Sequence, residues 1–159
     1  MNNQLALFQQ LAETKWTDEC YTPKWIFDKL QLHFDLDPAA PPHPTHVPCT
    51  NHYTINDNGL TQPWHGRIWL NPPFSNPAPW IERFLQHRNG IAMFPFSKSH
   101  WFIKIWDDPD TELLYTSNPG QVGIKFHRPD GYAQITHPIC TAAIGKENIE
   151  ALRNLGRTR

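Results

Sequence analysis

The sequence has few cysteines, no long apolar run and almost no net charge. Its three cysteines, Cys20, Cys49 and Cys140, stand at unrelated spacings, which excludes a disulfide framework and suits a reducing cytoplasm. The apolar runs are short, so no segment predicts a membrane span. Residues 1–15 lack both a basic start and a continuous apolar stretch, and they therefore do not predict a signal peptide.

Aromatic and apolar residues are present in ordinary globular proportions, 13% and 39%. With a length of 159 residues, this predicts a single domain over 1–159. Residues 1–62 contain three Lys/Arg against seven Asp/Glu, whereas residues 63–159 contain 11 against eight. The later part can present a basic face to phosphates, although an ordinary mixed surface has the same counts.

Hydrophobic periodicity predicts strands that alternate with helices. A Thr22 cap with Pro23 at the first helical position predicts a helix to about Leu32. The other predicted helices cover 3–13, 76–87, 97–107 and 146–155, and the predicted strands cover 33–37, 67–70, 90–96, 112–116, 122–127 and 138–144. This order predicts an α/β fold with a mixed sheet, helices on both faces and an antiparallel edge. The domain comprises an N-terminal extension (1–15), a core (16–145) and a C-terminal helix and tail (146–159).

Sixteen prolines interrupt the chain, especially between Pro38 and Pro48. We expect residues 38–58 to form one long loop, since their Pro, His and Thr content disfavours regular structure. A loop of this length in a compact domain is usually functional. A second turn, Arg128-Pro-Asp-Gly131, is predicted between the last two strands.

The segment Trp69-Leu-Asn-Pro-Pro-Phe-Ser75 carries the strongest chemical signal. Ligands of open α/β sheets bind beyond the carboxyl ends of the strands, and Asn71 stands at such an end. Two consecutive prolines make a rigid backbone without amide hydrogens, which leaves its carbonyls free to accept hydrogen bonds. The aromatic ring of Phe74 comes next and suits stacking on a flat base.

This arrangement suits methyl transfer to an aromatic amine. Such a nitrogen is a poor nucleophile because its lone pair is delocalised into the ring. The Asn71 side chain and the Pro72 carbonyl can accept both amino hydrogens and direct the lone pair at a sulfonium methyl group. Positioning and electrostatics then supply the catalysis. An ordinary proline-rich turn after a strand is the structural alternative.

Several motifs together resemble the phage-encoded DNA N-6-adenine-methyltransferase (Dam) family. Asn71-Pro-Pro-Phe74 resembles the [DNS]-P-P-[YFW] motif of amino-methyltransferases. The wider family pattern has counterparts in Tyr21-Thr-Pro-Lys-Trp25, Phe34-Asp-Leu-Asp-Pro-Ala-Ala40, Gly66-Arg-Ile-Trp-Leu-Asn-Pro-Pro-Phe-Ser75, Met93-Phe-Pro-Phe-Ser-Lys98, Trp101-Phe102 and Gly123-Ile-Lys-Phe126. The resemblance covers roughly residues 16–145.

The resemblance implies a Rossmann-like, S-adenosylmethionine-dependent methyltransferase that acts on the 6-amino group of adenine. It implies double-stranded DNA as the partner, a phage or prophage origin and a bacterial cytoplasmic location. The catalytic residues are then Asn71, Pro72, Pro73 and Phe74. A monomer is favoured as the oligomeric state.

For the cofactor, the same resemblance points to Asp37 and Ala39, beyond an early strand. Thr22 and Pro23 open a helix whose free amides suit a carboxylate, and Trp25 and Asn71 complete the predicted cofactor set. Simple capping by Thr22 and a solvated strand-end Asp37 are the alternatives. The methyltransferase loop Phe-x-Gly-x-Gly is missing, and Pro38-Ala-Ala-Pro-Pro42 stands in its place.

For the substrate, we expect contacts from Phe74, Ser75 and Phe126, with Lys98 and Arg128 at phosphates. Phe126 as a core residue and the two cations as solvated surface charges are the alternatives. Enzymes of this kind extrude the target base from the duplex, which is the expected mode here.

His43, His46, Cys49 and His52 have metal-compatible side chains but form one uninterrupted run. Structural zinc sites instead use two separated pairs, so no metal is predicted. Two other functions stay open from sequence: methylation of cytosine or a protein glutamine, and a degenerate fold that binds DNA without catalysis.

Overall fold

The computed structural model describes residues 18–158, except 119, 122, 130, 136 and 137. The helix predicted over 3–13 lies outside these residues. In chain order the elements are α1 (Lys24–Leu30), β1 (Phe34–Asp37), β2 (Cys49–His52), β3 (Ile68–Leu70), α2 (Ala78–His87), β4 (Gly90–Pro95), α3 (His100–Trp106), β5 (Thr111–Thr116), β6 (Ile124–Arg128), β7 (Gly131–Ile135), β8 (Ile139–Ile144) and α4 (Lys146–Leu152).

Six strands form one mixed sheet in the order β2-β1-β3-β4-β8-β5. The strands β2, β1, β3 and β4 are parallel, and β8 is antiparallel to both of its neighbours. The carboxyl ends of β1, β3 and β4 therefore share one edge of the sheet. This arrangement confirms the predicted α/β class and places the candidate motif beside Asp37.

Helices cover both faces of this sheet, because side chains alternate along β3. Trp69 belongs to a first core cluster, to which α1 and α4 contribute Ile26, Leu30, Ala151 and Leu152. Ile68 and Leu70 belong to a second core cluster, to which α2 and α3 contribute Ile81, Phe84, Phe102 and Ile105. The prediction of helices on both faces is confirmed.

The prediction of one long loop over 38–58 is wrong in part, because β2 lies within it. Strand β2 pairs in parallel with β1, for example Phe34 with Cys49 and Asp37 with His52. Its four residues, Cys-Thr-Asn-His, are half-buried or exposed at the sheet edge. An edge strand with no apolar alternation has no sequence pattern, and its hydrogen bonds to β1 define it.

The turn at 128–131 does not connect the last two predicted strands. It connects β6 to β7, an unpredicted strand, in a separate two-stranded sheet with Arg128 opposite Gly131. The sequence Gly-Tyr-Ala-Gln-Ile has little apolar alternation. The short turn between two adjacent chain segments is the feature that allows this hairpin.

Candidate active site

Asn71 lies directly after β3, where its side-chain nitrogen Nδ2 donates a hydrogen bond to the Cys20 carbonyl at 2.8 Å. A carbonyl can only accept, so this contact fixes which way the amide points. Its oxygen Oδ1 is buried and has no hydrogen-bond partner in the described structure. A buried polar atom without a partner is costly to the fold, so Asn71 Oδ1 is an acceptor that is available to a ligand.

The two prolines hold this acceptor on a rigid backbone. Pro72 is buried and Pro73 half-buried. The Pro73 carbonyl accepts a hydrogen bond from the Asn76 amide at 3.2 Å, closing a turn before α2. The predicted strand-end position of the motif is confirmed.

Phe74 is half-buried, and its ring meets Phe126 edge to face, with centroids 5.8 Å apart and planes at 81°. Phe126 is fully buried within the first core cluster. The structure thus brings these two predicted substrate residues into direct contact, at right angles to each other. Phe126 also serves the core, in keeping with its structural alternative.

Ser75 is held from a direction that the sequence did not suggest. Its amide and its hydroxyl both donate to the carboxylate of Asp18, at 2.9 Å and 2.7 Å. An acid 57 positions away in the chain carries no local signal of this contact. Only a side chain brought back across the strand ends can make it.

Residues 18–22, which we call the strap, pass across the end of β3. Besides Asp18 and the Cys20 carbonyl, the strap uses Tyr21, whose amide and carbonyl pair with those of His127 at 2.8 Å and 2.9 Å. His127 directly follows Phe126. The strap therefore links the motif to β6.

Asp37 ends β1 and is only 3% exposed. The Ala39 amide donates to its carboxylate at 3.1 Å, and the Tyr53 amide donates to its backbone carbonyl at 2.8 Å. Burial raises the pKa of Asp37 to about 7, against the smaller lowering effect of the Ala39 hydrogen bond. The site therefore favours a ligand that brings hydrogen-bond donors or positive charge to this carboxylate.

The segment after Asp37 contains no glycine, and contacts with other segments of the chain hold its backbone in place. The Ala40 amide donates to the Tyr53 carbonyl at 2.9 Å. A Cβ placed on Gly59 would lie 1.9 Å from the Pro38 carbonyl oxygen. Gly59 is therefore required for a close backbone approach, and no substitution of it fits this packing.

Two further buried polar atoms have no partner among the described residues: Thr22 Oγ1 and Trp69 Nε1. Thr22 does not cap the helix as predicted, because α1 begins at Lys24 with Pro23 at the N-cap and no side-chain cap bond. Trp69 precedes Asn71 by two residues and packs on Phe27, with ring centroids 4.8 Å apart. The sequence does not reveal Trp69 as a polar group, since a tryptophan in an apolar strand has the pattern of a core residue.

Trp25 lies in α1, half-buried against the first core cluster, with the Lys29 ammonium 5.7 Å from its ring centroid. These contacts are the ones that the structure gives to Trp25, and its predicted cofactor role stays a prediction.

An open groove of about 620 Å³ lies beyond the ends of β3 and β4. It brings together Phe74, Ser75 and Lys98, all predicted to contact the substrate. Two aromatic residues of its wall, Phe96 and Trp101, were not among the predicted site residues. Lys98 is exposed there. Aromatic rings, hydroxyls and a cation in one groove suit a nucleic acid.

Arg128 is half-buried at the end of β6. Burial raises the pKa of Cys20 to about 11, and the positive charge of Arg128 opposes that rise. Arg128 therefore lies close to the strap, next to the motif, whereas Lys98 lies in the groove.

The members of the histidine run have different partners in the fold. His43 contacts the Tyr21 ring at 4.6 Å between centroids, and His46 lies 5.0 Å from His127. Cys49 is the first residue of β2 and His52 is the last, and the Cys49 thiol forms no disulfide within the described structure. Across the described part of the chain, no group of three or more His, Cys, Asp or Glu side chains is arranged to hold a metal ion.

None of the described helices is long and apolar enough to cross a membrane.

Comparison with known proteins shows which family and which curated relative this chain resembles. Residues 10–118 match the family described as DNA N-6-adenine-methyltransferase (Dam). The DNA N-6-adenine-methyltransferase of Haemophilus phage HP1 (strain HP1c1) is 43% identical over an alignment of 81 residues. That alignment covers 45% of this chain and 46% of the phage protein. The chain thus spans about half the length of the curated relative that it matches.

Proposed function

We propose, from the premise that this chain belongs to the DNA N-6-adenine-methyltransferase (Dam) family, that it methylates the 6-amino group of adenine in DNA. The observation that carries the proposal is Asn71 Oδ1. It is a buried acceptor at a strand end with no partner among the described residues, and two prolines and an aromatic ring come after it. That arrangement supports recognition of a planar amine.

Asn71 Oδ1 and the Pro72 carbonyl accept the two amino hydrogens of the adenine. This favours a pyramidal nitrogen whose lone pair is directed out of the ring plane. Phe74 stacks on the base and fixes its plane, while Pro72 and Pro73 keep the acceptors from rotating. A methyl donor bound beside this nitrogen would supply the methyl group, and the proton that the methylated nitrogen then loses would pass to solvent. The residues act by orientation and electrostatics, without a covalent enzyme intermediate.

S-adenosylmethionine, when bound, supplies the electrophilic methyl group on its sulfonium sulfur. The residues present fit it: Asp37 is a buried carboxylate, and Thr22 Oγ1 is a buried hydroxyl without a partner among the described residues. We assign Asp37 and Ala39 to the ammonium group or the ribose hydroxyls. Thr22 and Pro23 are assigned to the carboxylate, with Trp25 and Asn71 completing the site.

The substrate of the proposal is double-stranded DNA with the target adenine extruded from the helix. The groove supports this, because Phe74, Ser75 and Lys98 share it. Phe126 supports the Phe74 ring from behind, and Lys98 and Arg128 contact phosphates. We further propose a monomer that acts in the bacterial cytoplasm and is encoded by a phage or prophage.

The test is expression in a methylation-deficient host, followed by sequencing that detects methylated adenine. Purified protein is then incubated with labelled donor and unmethylated DNA, and the nucleosides are identified by mass spectrometry. We expect N6-methyladenine from the wild type and from the surface control Asn154→Ala, and almost none from Asn71→Ala. No incorporation by the wild type, or undiminished incorporation by Asn71→Ala, would sink the proposal. Labelled cytosine or protein would move the same chemistry to another amine, and calorimetry showing no donor binding would indicate a non-catalytic relic.

A further inference from the structure

We propose that Asp18 is a positioning residue that fixes the Phe74 ring for the base by holding Ser75. This rests on the proposed function, in which Phe74 orients the adenine. Asp18 lies in the strap, outside both the cofactor set and the groove. It acts only through the residue next to Phe74.

The contact between Asp18 and Ser75 uses both carboxylate oxygens. The Ser75 amide donates to one at 2.9 Å and the Ser75 hydroxyl to the other at 2.7 Å. Hydrogen bonds to a charged acceptor are stronger than neutral ones, and two of them restrict rotation as well as distance. The peptide between Phe74 and Ser75 is thereby held at its Ser75 end. Ser75 itself is exposed, so without Asp18 its end of the motif would lose this support.

The strap also holds the start of the motif, because the Cys20 carbonyl accepts a hydrogen bond from the Asn71 side-chain nitrogen Nδ2 at 2.8 Å. Asn71 and Ser75 are thus each bound by the same five-residue segment. Between these points the two prolines are already rigid. Phe74 is the one residue of the motif whose ring orientation depends on how the next residue, Ser75, is held.

The ring of Phe74 packs against Phe126, and the strap contacts the strand that carries Phe126. Tyr21 pairs with His127 through two backbone hydrogen bonds, and Phe126 immediately precedes His127. Phe126 meets Phe74 edge to face. The strap therefore contacts both the residue that follows Phe74 and the strand that carries the ring against which Phe74 packs.

Loosening Asp18 is expected to act on catalysis more than on binding. The hydrogen bonds of Asp18 go to Ser75 and to no residue of the cofactor set, and Thr22 stands four positions further along the strap, so donor affinity should stay within about twofold. A misplaced base loses the alignment that methyl transfer needs, and a displacement of about 1 Å can cost about a hundredfold in rate. We expect kcat of Asp18→Ala to fall about 10- to 100-fold, with a smaller change in KM for DNA.

The experiment compares Asp18→Ala, Asp18→Asn, Ser75→Ala and the double variant Asp18→Ala/Ser75→Ala. Glu19→Ala is the matched control, since Glu19 is the adjacent, exposed acid. Asp18→Asn retains an acceptor for one donor and should recover part of the lost kcat. Ser75→Ala loses only the hydroxyl contact and should lose less than Asp18→Ala. The double variant should lose no more than Asp18→Ala, because the residues act as one unit.

Two readouts test positioning without reference to activity. Hydrogen exchange of the Ser75 amide should accelerate in Asp18→Ala and stay unchanged in Glu19→Ala. The NMR signals of the Phe74 ring should broaden or average in Asp18→Ala alone. Unchanged exchange and unchanged ring signals overturn the positioning role, as does a wild-type kcat in Asp18→Ala. An inactive wild type overturns the proposed function instead, while the exchange and ring data still decide whether Asp18 holds Phe74.

Discussion

At the amino ends of the parallel strands, opposite the candidate site, Arg67 and Asn148 form a saturated hydrogen-bond cluster. Arg67 donates through Nε to Asn148 Oδ1 at 2.7 Å, and also contacts Glu147. Asn148, only 2% exposed, donates to Asn89 Oδ1 at 2.8 Å and to the Ile144 carbonyl at 2.7 Å. At the carboxyl ends, by contrast, Asn71 keeps an oxygen with no partner among the described residues.

The difference teaches how one sheet separates stability from function. Each unsatisfied buried polar group costs about 1–3 kcal/mol, so a fold tolerates such groups only where something else benefits. Asn148 uses its polar atoms to bind other parts of the same chain. Asn71, Thr22 and Trp69 each keep one polar atom without a partner in the described structure. The unsatisfied atoms, more than the residue types, distinguish the end of the sheet that carries the candidate site.

The largest expected effect is on catalysis at the unsatisfied end. Asn71→Ala removes one of two acceptors for the amine, and kcat should fall about 10²- to 10³-fold. The thermal midpoint should change less, because the lost bond to Cys20 is offset by removal of the unsatisfied oxygen. The measurement is single-turnover methylation beside a melting curve. A large loss of stability without a loss of kcat would reverse the contrast between the two ends.

The next effect is on stability at the saturated end. Asn148→Ala removes the partner of Arg67 Nε and leaves Asn89 Oδ1 with one donor fewer, so the free energy of unfolding should fall by about 3 kcal/mol. Denaturant titration measures this, with Asn154→Ala as the exposed asparagine control. The kcat of the folded fraction should match the wild type. A kcat as low as that of Asn71→Ala would show that the two ends are coupled.

A smaller effect is expected from pH at Asp37, whose pKa lies at about 7. Binding of a positively charged donor needs the ionised form, so donor affinity should weaken about eightfold from about pH 7.5 to about pH 6. Stability without ligand should change in the opposite direction. The folded state keeps a proton that the unfolded state loses, so stability falls as pH rises between about 4 and 7.

Calorimetry across this pH range tests the first trend and thermal melts test the second. Asp37→Asn should flatten both, and it corrects for titration of the donor itself. Equal pH dependence in wild type and Asp37→Asn would remove Asp37 from the cofactor site.

The smallest effect concerns Lys98, an exposed cation in the groove. Lys98→Ala should lower the slope of log affinity for DNA against log salt by about 1, because one phosphate contact is lost. Lys146→Ala, at the saturated end of the sheet, should leave that slope unchanged. Equal slopes for both variants would place DNA elsewhere on the protein.

Much of the fold was predictable, because β3, β4 and β8 are apolar runs and α2 and α3 have strong helical periodicity. The two failures share one cause. Strand β2 is a polar edge strand and β7 is a short return strand, and each is defined by its partner and not by its own side chains. Pairing between segments is a tertiary property that local pattern does not contain.

The site divides in the same way. The strand-end position of Asn71 and Asp37 could be inferred from local pattern, and the structure places both at one edge of the sheet. Asp18 was missed, because its partner Ser75 lies far away in the chain. The supposed Thr22 cap also failed, since Pro23 itself occupies the N-cap position and the hydroxyl makes no cap bond.

By itself the sequence determined the chemistry available to this protein: an asparagine, two prolines and an aromatic ring after a buried strand. Such a segment is local, and its rigidity and hydrogen-bonding groups belong to those residues wherever they fold. Only the tertiary structure decided which polar atoms stay free, because that depends on the groups that every neighbouring segment donates. The strap accepts a hydrogen bond from the Asn71 side-chain nitrogen, whereas the side-chain oxygen has no partner among the described residues. Hydrogen-bond satisfaction is a property of the whole fold, and here it differs between the end of the sheet that carries the candidate site and the opposite end.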